Sequence, residues 1–278
     1  MERVKISSIM PFLIGIAVVA VAFINCTSAA KNSAGKTTSI EGKGFAVVEL
    51  FTSEGCSSCP PADELVAKVE KEVDDKPVYI LAYHVDYWDR LGWKDSFSDA
   101  AYTKRQNQYA GWLNLSQIYT PQIVVNGKTE FVGSQEGALR NAIKNGLQGS
   151  NVVKLKISAQ RATSGAATIQ YSVEGSTNNS GKAVLLALVQ KQAVSKVKAG
   201  ENGGRTLAHS QIVREIQNVP LKNYGSTNIA LPAGFDANGY EVIGFIQDND
   251  NGGILAAAKS GFNVTATTEN TIGTKSTK

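Results

Sequence analysis

From Phe45 onward, apolar and polar positions follow two different periods, and the switches between them lay out the first half of the chain. Phe45–Phe51 (FAVVELF) is an almost continuous apolar run, as expected of a strand covered on both faces. In Ser58–Val73 (SCPPADELVAKVEKEV), Leu65, Val66, Val69 and Val73 fall on one helical stripe. Pro60 and Pro61 fit its first turn, where a missing N–H costs little, and Asp63 and Glu64 suit the positive end of the helix dipole. Pro77–Val85 (PVYILAYHV) is a second buried strand, so strand, helix and strand predict a parallel βαβ unit with a right-handed crossover. Ser96–Trp112 reads as a further helix, and Thr120–Gly133 as a hairpin turning at Asn126-Gly127. Ser134–Leu147 reads as a helix with Leu139, Ile143 and Leu147 four apart.

After Gly149 the period becomes two. NVVKLKISAQ, AATIQYSVEG, KAVLLALVQK, GYEVIGFIQD and GGILAAAKS predict strands with turn-rich joins. The chain is therefore expected to be α/β over residues 44–149, with a helix inserted between the second strand and the hairpin, and an antiparallel, sandwich-like β domain over 150–263. Residues 264–278 read as a polar tail. Val194–Asn223, which holds ENGGRTLAHSQIVREI, reads as one long connection of the sort that often carries function.

The start of the chain has a different character. Arg3 and Lys5 precede the uncharged apolar run Ile9–Ile24, and small residues follow in CTSAAK, the layout of an export signal. An uncleaved anchor is the alternative, and either outcome places the remainder outside the cytoplasm. Cys26 stands two residues past the run. FINC resembles a lipobox, which would make Cys26 a lipid-bearing residue in the cell envelope or periplasm. A cut after Ala30 would instead discard it. Residues 31–43 would form a polar tether between residues 1–30 and the fold.

Composition narrows the function classes. With 42% hydrophobic and 19% charged residues among 278, the chain is globular rather than disordered. A net charge of +4 without a dense basic run argues against nucleic acid as a partner.

The distinctive chemistry is FTSEGCSSCPPAD (Phe51–Asp63). Cys56 and Cys59 are the only cysteines besides Cys26. A strand-end, helix-start position favours the thiolate of Cys56 through the helix dipole and unpaired N–H groups, and Cys59 is close enough to close a disulfide onto it. Three uses are open: a redox pair, a soft-metal site for Cu(I) with His84, and a fixed disulfide in a binding module. The last would stabilise little, because the loop it closes is small.

The motif and the order of elements resemble the thioredoxin superfamily. That resemblance implies a cis Thr120–Pro121 bond beside the dithiol, with Thr120 backbone groups pairing to a bound substrate chain. VELFTSEGCSSCPPAD, HVDYWDRLGWKDSFS, YTKRQNQYA, YTPQIVVNG and LAHSQIVREI together resemble the DUF1223 family of exported bacterial proteins, whose activity is not settled. The similarity spans about residues 44–260.

Around the dithiol, His84 and Asp86 in HVDYWD should lie at the carboxyl end of a parallel strand, where sites collect. Either could handle a proton for Cys59, or simply anchor a loop. Glu54 could do the same or serve as a helix-entry carboxylate. His209 and Arg214 could reach the site if Val194–Asn223 folds back over it. The chain has only two histidines, His84 and His209. Asp248 and Asp250 lack the spacing of a calcium loop and read as a turn. The expected partner is a protein or small-molecule thiol or disulfide, with no cofactor and no resident metal.

Overall fold

The computed structural model describes residues 44–263 apart from 74, 163, 164, 176 and 177. The run Ile9–Ile24, Cys26, the tether 31–43 and the tail 264–278 lie outside the described residues. The chain is mixed α/β, with a large sheet and few helices. β1 (Ala46–Thr52), α1 (Pro60–Glu72) and β2 (Val78–His84) open it, and a 3-10 helix spans Asp86–Leu91. α2 (Ala100–Trp112), β3 (Gln122–Val125), β4 (Thr129–Val132) and α3 (Glu136–Leu147) follow. Then come seven strands: β5 (Lys154–Arg161), β6 (Ala166–Glu174), β7 (Lys182–Lys196), β8 (Thr206–Pro220), β9 (Tyr224–Ala230), β10 (Tyr240–Asp248) and β11 (Ile254–Asn263).

The strands join edge to edge in the order β4-β3-β1-β2-β8-β7-β10-β11-β5-β6-β9. β1 and β2 are parallel, with Thr52 opposite His84. The sheet does not stop at the expected boundary near residue 149. β8 lies parallel to β2, with Ala82 opposite Ile212. Side chains of Leu155 and Ile157 on β5 stand where a side chain at Gly244 on β10 would reach, at 3.5 and 3.3 Å. Leu155, Ile157 and Ile169 thereby share a core with Leu186, Leu188 and Val242.

Covering on both faces explains the continuous apolar strands. Val48, Leu50 and Ile80 face Leu65, Val66 and Val69 of α1 and Leu139 and Ile143 of α3. The alternate residues Phe51, Leu81 and Tyr83 face Tyr102 and Tyr109 of α2 and Phe245 of β10. The β3–β4 turn forms at the expected pair, with positive φ at both Asn126 (51°) and Gly127 (67°). A side chain at Gly127 would meet the Gly252 carbonyl oxygen at 1.8 Å, so this turn packs directly on the turn between β10 and β11.

Two expectations need correction. The helix read over Ser96–Trp112 starts at Ala100, capped by the Asp99 side chain, which accepts from the Ala101 N–H. Val194–Asn223 is not a connection but most of a long hairpin, because β7 and β8 pair from Ala183↔Pro220 to Lys196↔Thr206. Polar residues mask the strand: His209, Ser210 and Gln211 are buried yet interrupt the apolar pattern, Gln211 adopts φ 55°, and the register shifts between Val213 and Glu215.

A buried ion pair ties the two halves together. Arg105 Nε of α2 donates to Glu49 Oε2 of β1 at 2.5 Å, and its Nη1 donates to Gln247 Oε1 of β10 at 3.1 Å. Tyr109 donates to the other Glu49 oxygen and accepts from Arg105 Nη2 and Gln247 Nε2. Replacing Arg105 with Met strands the Glu49 charge and is expected to cost about 3–5 kcal/mol, of which an added Glu49→Gln should return much. Urea denaturation of wild type, single and double variants measures both steps; a single variant as stable as wild type contradicts this account.

Candidate functional site

β1 ends at Thr52, and Ser53–Ser58 carries the chain into α1. Cys59 occupies the N-cap with Pro60 and Pro61 just inside the helix, and its carbonyl accepts from the Ala62 and Asp63 N–H groups at 2.8 and 3.1 Å. Cys56 and Cys59 are joined by a disulfide, and neither is solvent-accessible. Ser58 Oγ lies 3.4 Å from Cys56 Sγ, placed to donate to a thiolate there. Beside them the Thr120–Pro121 peptide is cis. Pro121 and Ala62 of the first turn of α1 both press on Gly133, and Trp88 Nε1 donates to Thr120 Oγ1 at 2.8 Å.

Next to the disulfide is a buried set of three carboxyl groups and two imidazoles. His84, at the end of β2, donates through Nδ1 to Asp95 Oδ2 at 2.6 Å, an oxygen that also accepts from the Glu54 N–H at 2.9 Å. Glu54 Oε2 accepts from Trp93 Nε1 at 2.6 Å, and its Oε1 accepts from Ser195 Oγ of β7 and lies 3.4 Å from His209 Nε2 of β8. The two imidazole centroids are 4.9 Å apart, and Phe97 packs edge-on against both. Asp63, one helical turn after Cys59, accepts from Thr52 Oγ1 at 3.2 Å. His84 Nε2 and His209 Nδ1 are buried and bond to no described residue.

The charges sort themselves by partner. Burial alone would raise Glu54, but hydrogen bonds from His209, Ser195 and Trp93 outweigh it and hold the carboxyl below its usual range. Burial likewise opposes charge on Asp95, and His84 together with the Glu54 and Phe97 amides lowers it. Desolvation disfavours a charged His84, yet Asp95, Asp63 and Glu54 raise it above an ordinary imidazole. Asp63 is left with one hydroxyl as a direct partner. Desolvation pushes it up to about 6, against the pull of both imidazoles.

The structure thus brings Cys56, Cys59, Thr120, Pro121, Glu54, His84 and His209 to one end of the sheet. Glu54 does not cap α1; it faces the imidazoles. Asp86 sits apart, half-buried, accepting from Thr103 Oγ1 on α2 at 2.5 Å. Arg214 covers Phe97 with its guanidinium 4.9 Å from the ring centroid and donates to Gln190. Five participants escaped sequence reasoning: Asp63, read only as a helix-dipole residue, together with Asp95, Ser195, Glu201 and Asn202. Asp63 had a signal in its i+4 spacing from Cys59; the others reach the site only through tertiary folding. Among the described residues no three His, Cys, Asp or Glu side chains are grouped to hold a metal ion. No helix among them is long and apolar enough to cross a membrane.

The Asp63 environment has a measurable consequence. Its folded pKa, about 6, exceeds the ordinary 3.8, so the folded state holds this proton more tightly than the unfolded chain. The associated stability is complete below about pH 4 and is lost as pH rises through 6. Asp63→Asn is therefore expected to match wild type near pH 4 and to exceed it by up to about 3 kcal/mol above pH 7. Chemical denaturation across pH 4–8 tests this, and a difference that does not grow with pH contradicts it.

Residues 47–247 match the family model described as "Protein of unknown function (DUF1223)". A crystal structure of an Agrobacterium tumefaciens protein is 30% identical, covering 83% of this chain and 98% of that one with a TM-score of 0.58. HBP35 of Porphyromonas gingivalis shares the fold at 16% identity, covering 85% and 81% of the two chains with a TM-score of 0.56. No curated protein matches the chain. The long motifs around the dithiol and the extent of the family match lead to one assignment: this chain belongs to the DUF1223 family.

Proposed function

We propose that the protein is a thiol–disulfide exchange protein of the cell envelope or periplasm, with Cys56 and Cys59 as its redox couple. The observation that carries the reading is the buried acid–imidazole set beside the disulfide. A staple across three residues closes too small a loop to stabilise much and gives no reason to bury Glu54, Asp63, His84, Asp95 and His209 next to it. A couple that must gain and lose protons along with electrons does.

In the oxidising direction for the protein, the Cys56 thiolate attacks one sulfur of a partner disulfide. A Cys56–partner disulfide forms and a partner thiolate leaves. Cys59 passes its proton to Asp63, and its thiolate attacks Cys56 Sγ. The Cys56–Cys59 bond forms, and the second partner thiolate leaves and takes up a proton. The partner disulfide is reduced by two electrons and the dithiol is oxidised by two; run in reverse, the same steps donate a disulfide. His84, held by Asp95, and His209, held by Glu54 and Ser195, set the field that Asp63 feels. Arg214 closes the outer side over Phe97, and Asp86 anchors the loop after β2 without entering a step.

Residues 44–149 read as a thioredoxin-like unit. In support, β1, α1 and β2 precede β3, β4 and α3, and the strand order is β4-β3-β1-β2. The cis Thr120–Pro121 peptide also stands directly before β3. On this reading the Thr120 backbone pairs with an incoming substrate chain. Cys26 carries a lipid that holds the protein at a membrane surface.

The purified protein is expected to accelerate insulin reduction by dithiothreitol or refolding of a reduced disulfide protein, and Cys56→Ser should return the rate to the uncatalysed one. Full activity in that variant would sink the proposal. Cys26→Ser is expected to move the protein from the membrane fraction to the soluble fraction of its host; unchanged partition would remove the anchor.

A further inference from the structure

The β7–β8 hairpin does more than deliver His209. Its tip, residues 197–205, lies on the segment that contains the dithiol. Glu201 Oε2 accepts from both the N–H and the Oγ of Ser57, between the two cysteines, at 2.9 and 2.7 Å. Asn202 is fully buried, and its Nδ2 donates to the Glu54 and Cys56 carbonyls at 2.9 Å each. Arg205 Nη1 fixes that amide by donating to Asn202 Oδ1 at 2.7 Å. Gly200 packs on Trp93, so that a side chain there would meet Trp93 Cβ at 3.3 Å.

Reactivity and this geometry are incompatible in one conformation. Exchange needs a sulfur to approach Cys56 or Cys59 along the disulfide, and neither cysteine has accessible surface. Among the elements bonded to the dithiol segment, the tip has backbone freedom for movement. Glycines stand at 200, 203 and 204, two of them at positive φ. The tip also bonds within itself: Val197 N–H donates to the Arg205 carbonyl, Gly204 N–H to that of Val197, and Gly203 N–H to that of Gly200. It can therefore swing as a unit about the strand ends. Its hold on Ser57 is made at the surface, where each hydrogen bond contributes only modestly.

We propose that the β7–β8 tip is a latch over the Cys56–Cys59 disulfide, held shut by Glu201 on Ser57 and by Asn202 on the carbonyls of Glu54 and Cys56, and that a partner reaches the disulfide only when it opens. Glu201 and Asn202 are positioning residues; neither touches a reacting atom. The inference rests on the redox reading for its purpose, but its test does not require a biological partner.

The rate of disulfide reduction by a small water-soluble phosphine reports access directly. Glu201→Ala is expected to raise it about threefold and Asn202→Ala about tenfold. Because Asn202 is buried, its variant could also loosen the fold, so the exposed Glu201 is decisive. In Glu201→Ala the hydrogen exchange of the Ser57 amide should accelerate by the same factor as reduction. Wild-type reduction rates in both variants would overturn the latch, and so would faster reduction with unchanged Ser57 exchange. Loss of exchange activity toward protein disulfides with latch kinetics intact would count against the proposed function alone.

Discussion

The site exists because β8 lies alongside β2. Parallel pairing at Ala82↔Ile212 carries a strand from late in the chain to the centre of the sheet and sets His209 against His84. Both flanking helices hold it there. Tyr102 of α2 donates to the Val213 carbonyl at 3.0 Å, and Gln211 donates to Glu70 of α1 at 3.0 Å. Remove that pairing and Glu54 loses its partners on β7 and β8, while the hairpin tip loses its place over Ser57. A dithiol at a strand-to-helix turn would remain, but exposed and without its cluster.

The cluster is a problem of counting charge. Three carboxyls and two imidazoles share a volume that excludes water, so the carboxyls cannot all ionise against at most two cations without a net buried charge. The hydrogen bonds decide which group yields. Asp95 and Glu54 each hold several donors, while Asp63 holds the Thr52 hydroxyl alone. Asp63, the member of the set one helical turn from Cys59, is therefore the carboxyl that takes up a proton first as pH falls, near pH 6. A second buried charge centre, Glu49–Arg105, lies on the opposite face of β1 and holds the β1, α2 and β10 layers together.

What could be read along the chain was whatever depends on neighbours in sequence. The strand-helix-strand start, the Asn126-Gly127 turn and the helix ending at Leu147 rest on local period and turn chemistry, and the structure places each within a few residues. The β7–β8 hairpin was misread because its inner residues are polar for the sake of the site. A strand that buries histidine, serine and glutamine does not look like a strand. Asp95, Ser195 and Asn202 gave no sign of function, since their bonds to Glu54 span 41 to 148 positions.

By itself, then, the sequence determined the dithiol, its position at a helix start, and the two histidines as candidates, because residue chemistry and short-range spacing are properties of the chain alone. Only the tertiary structure decided that the histidines meet, that Asp63 is the carboxyl with the raised pKa, and that a hairpin tip bonds to the segment carrying the disulfide. Those outcomes follow from long-range strand pairing and from burial, which remove water from groups that would otherwise be solvated and indifferent to one another.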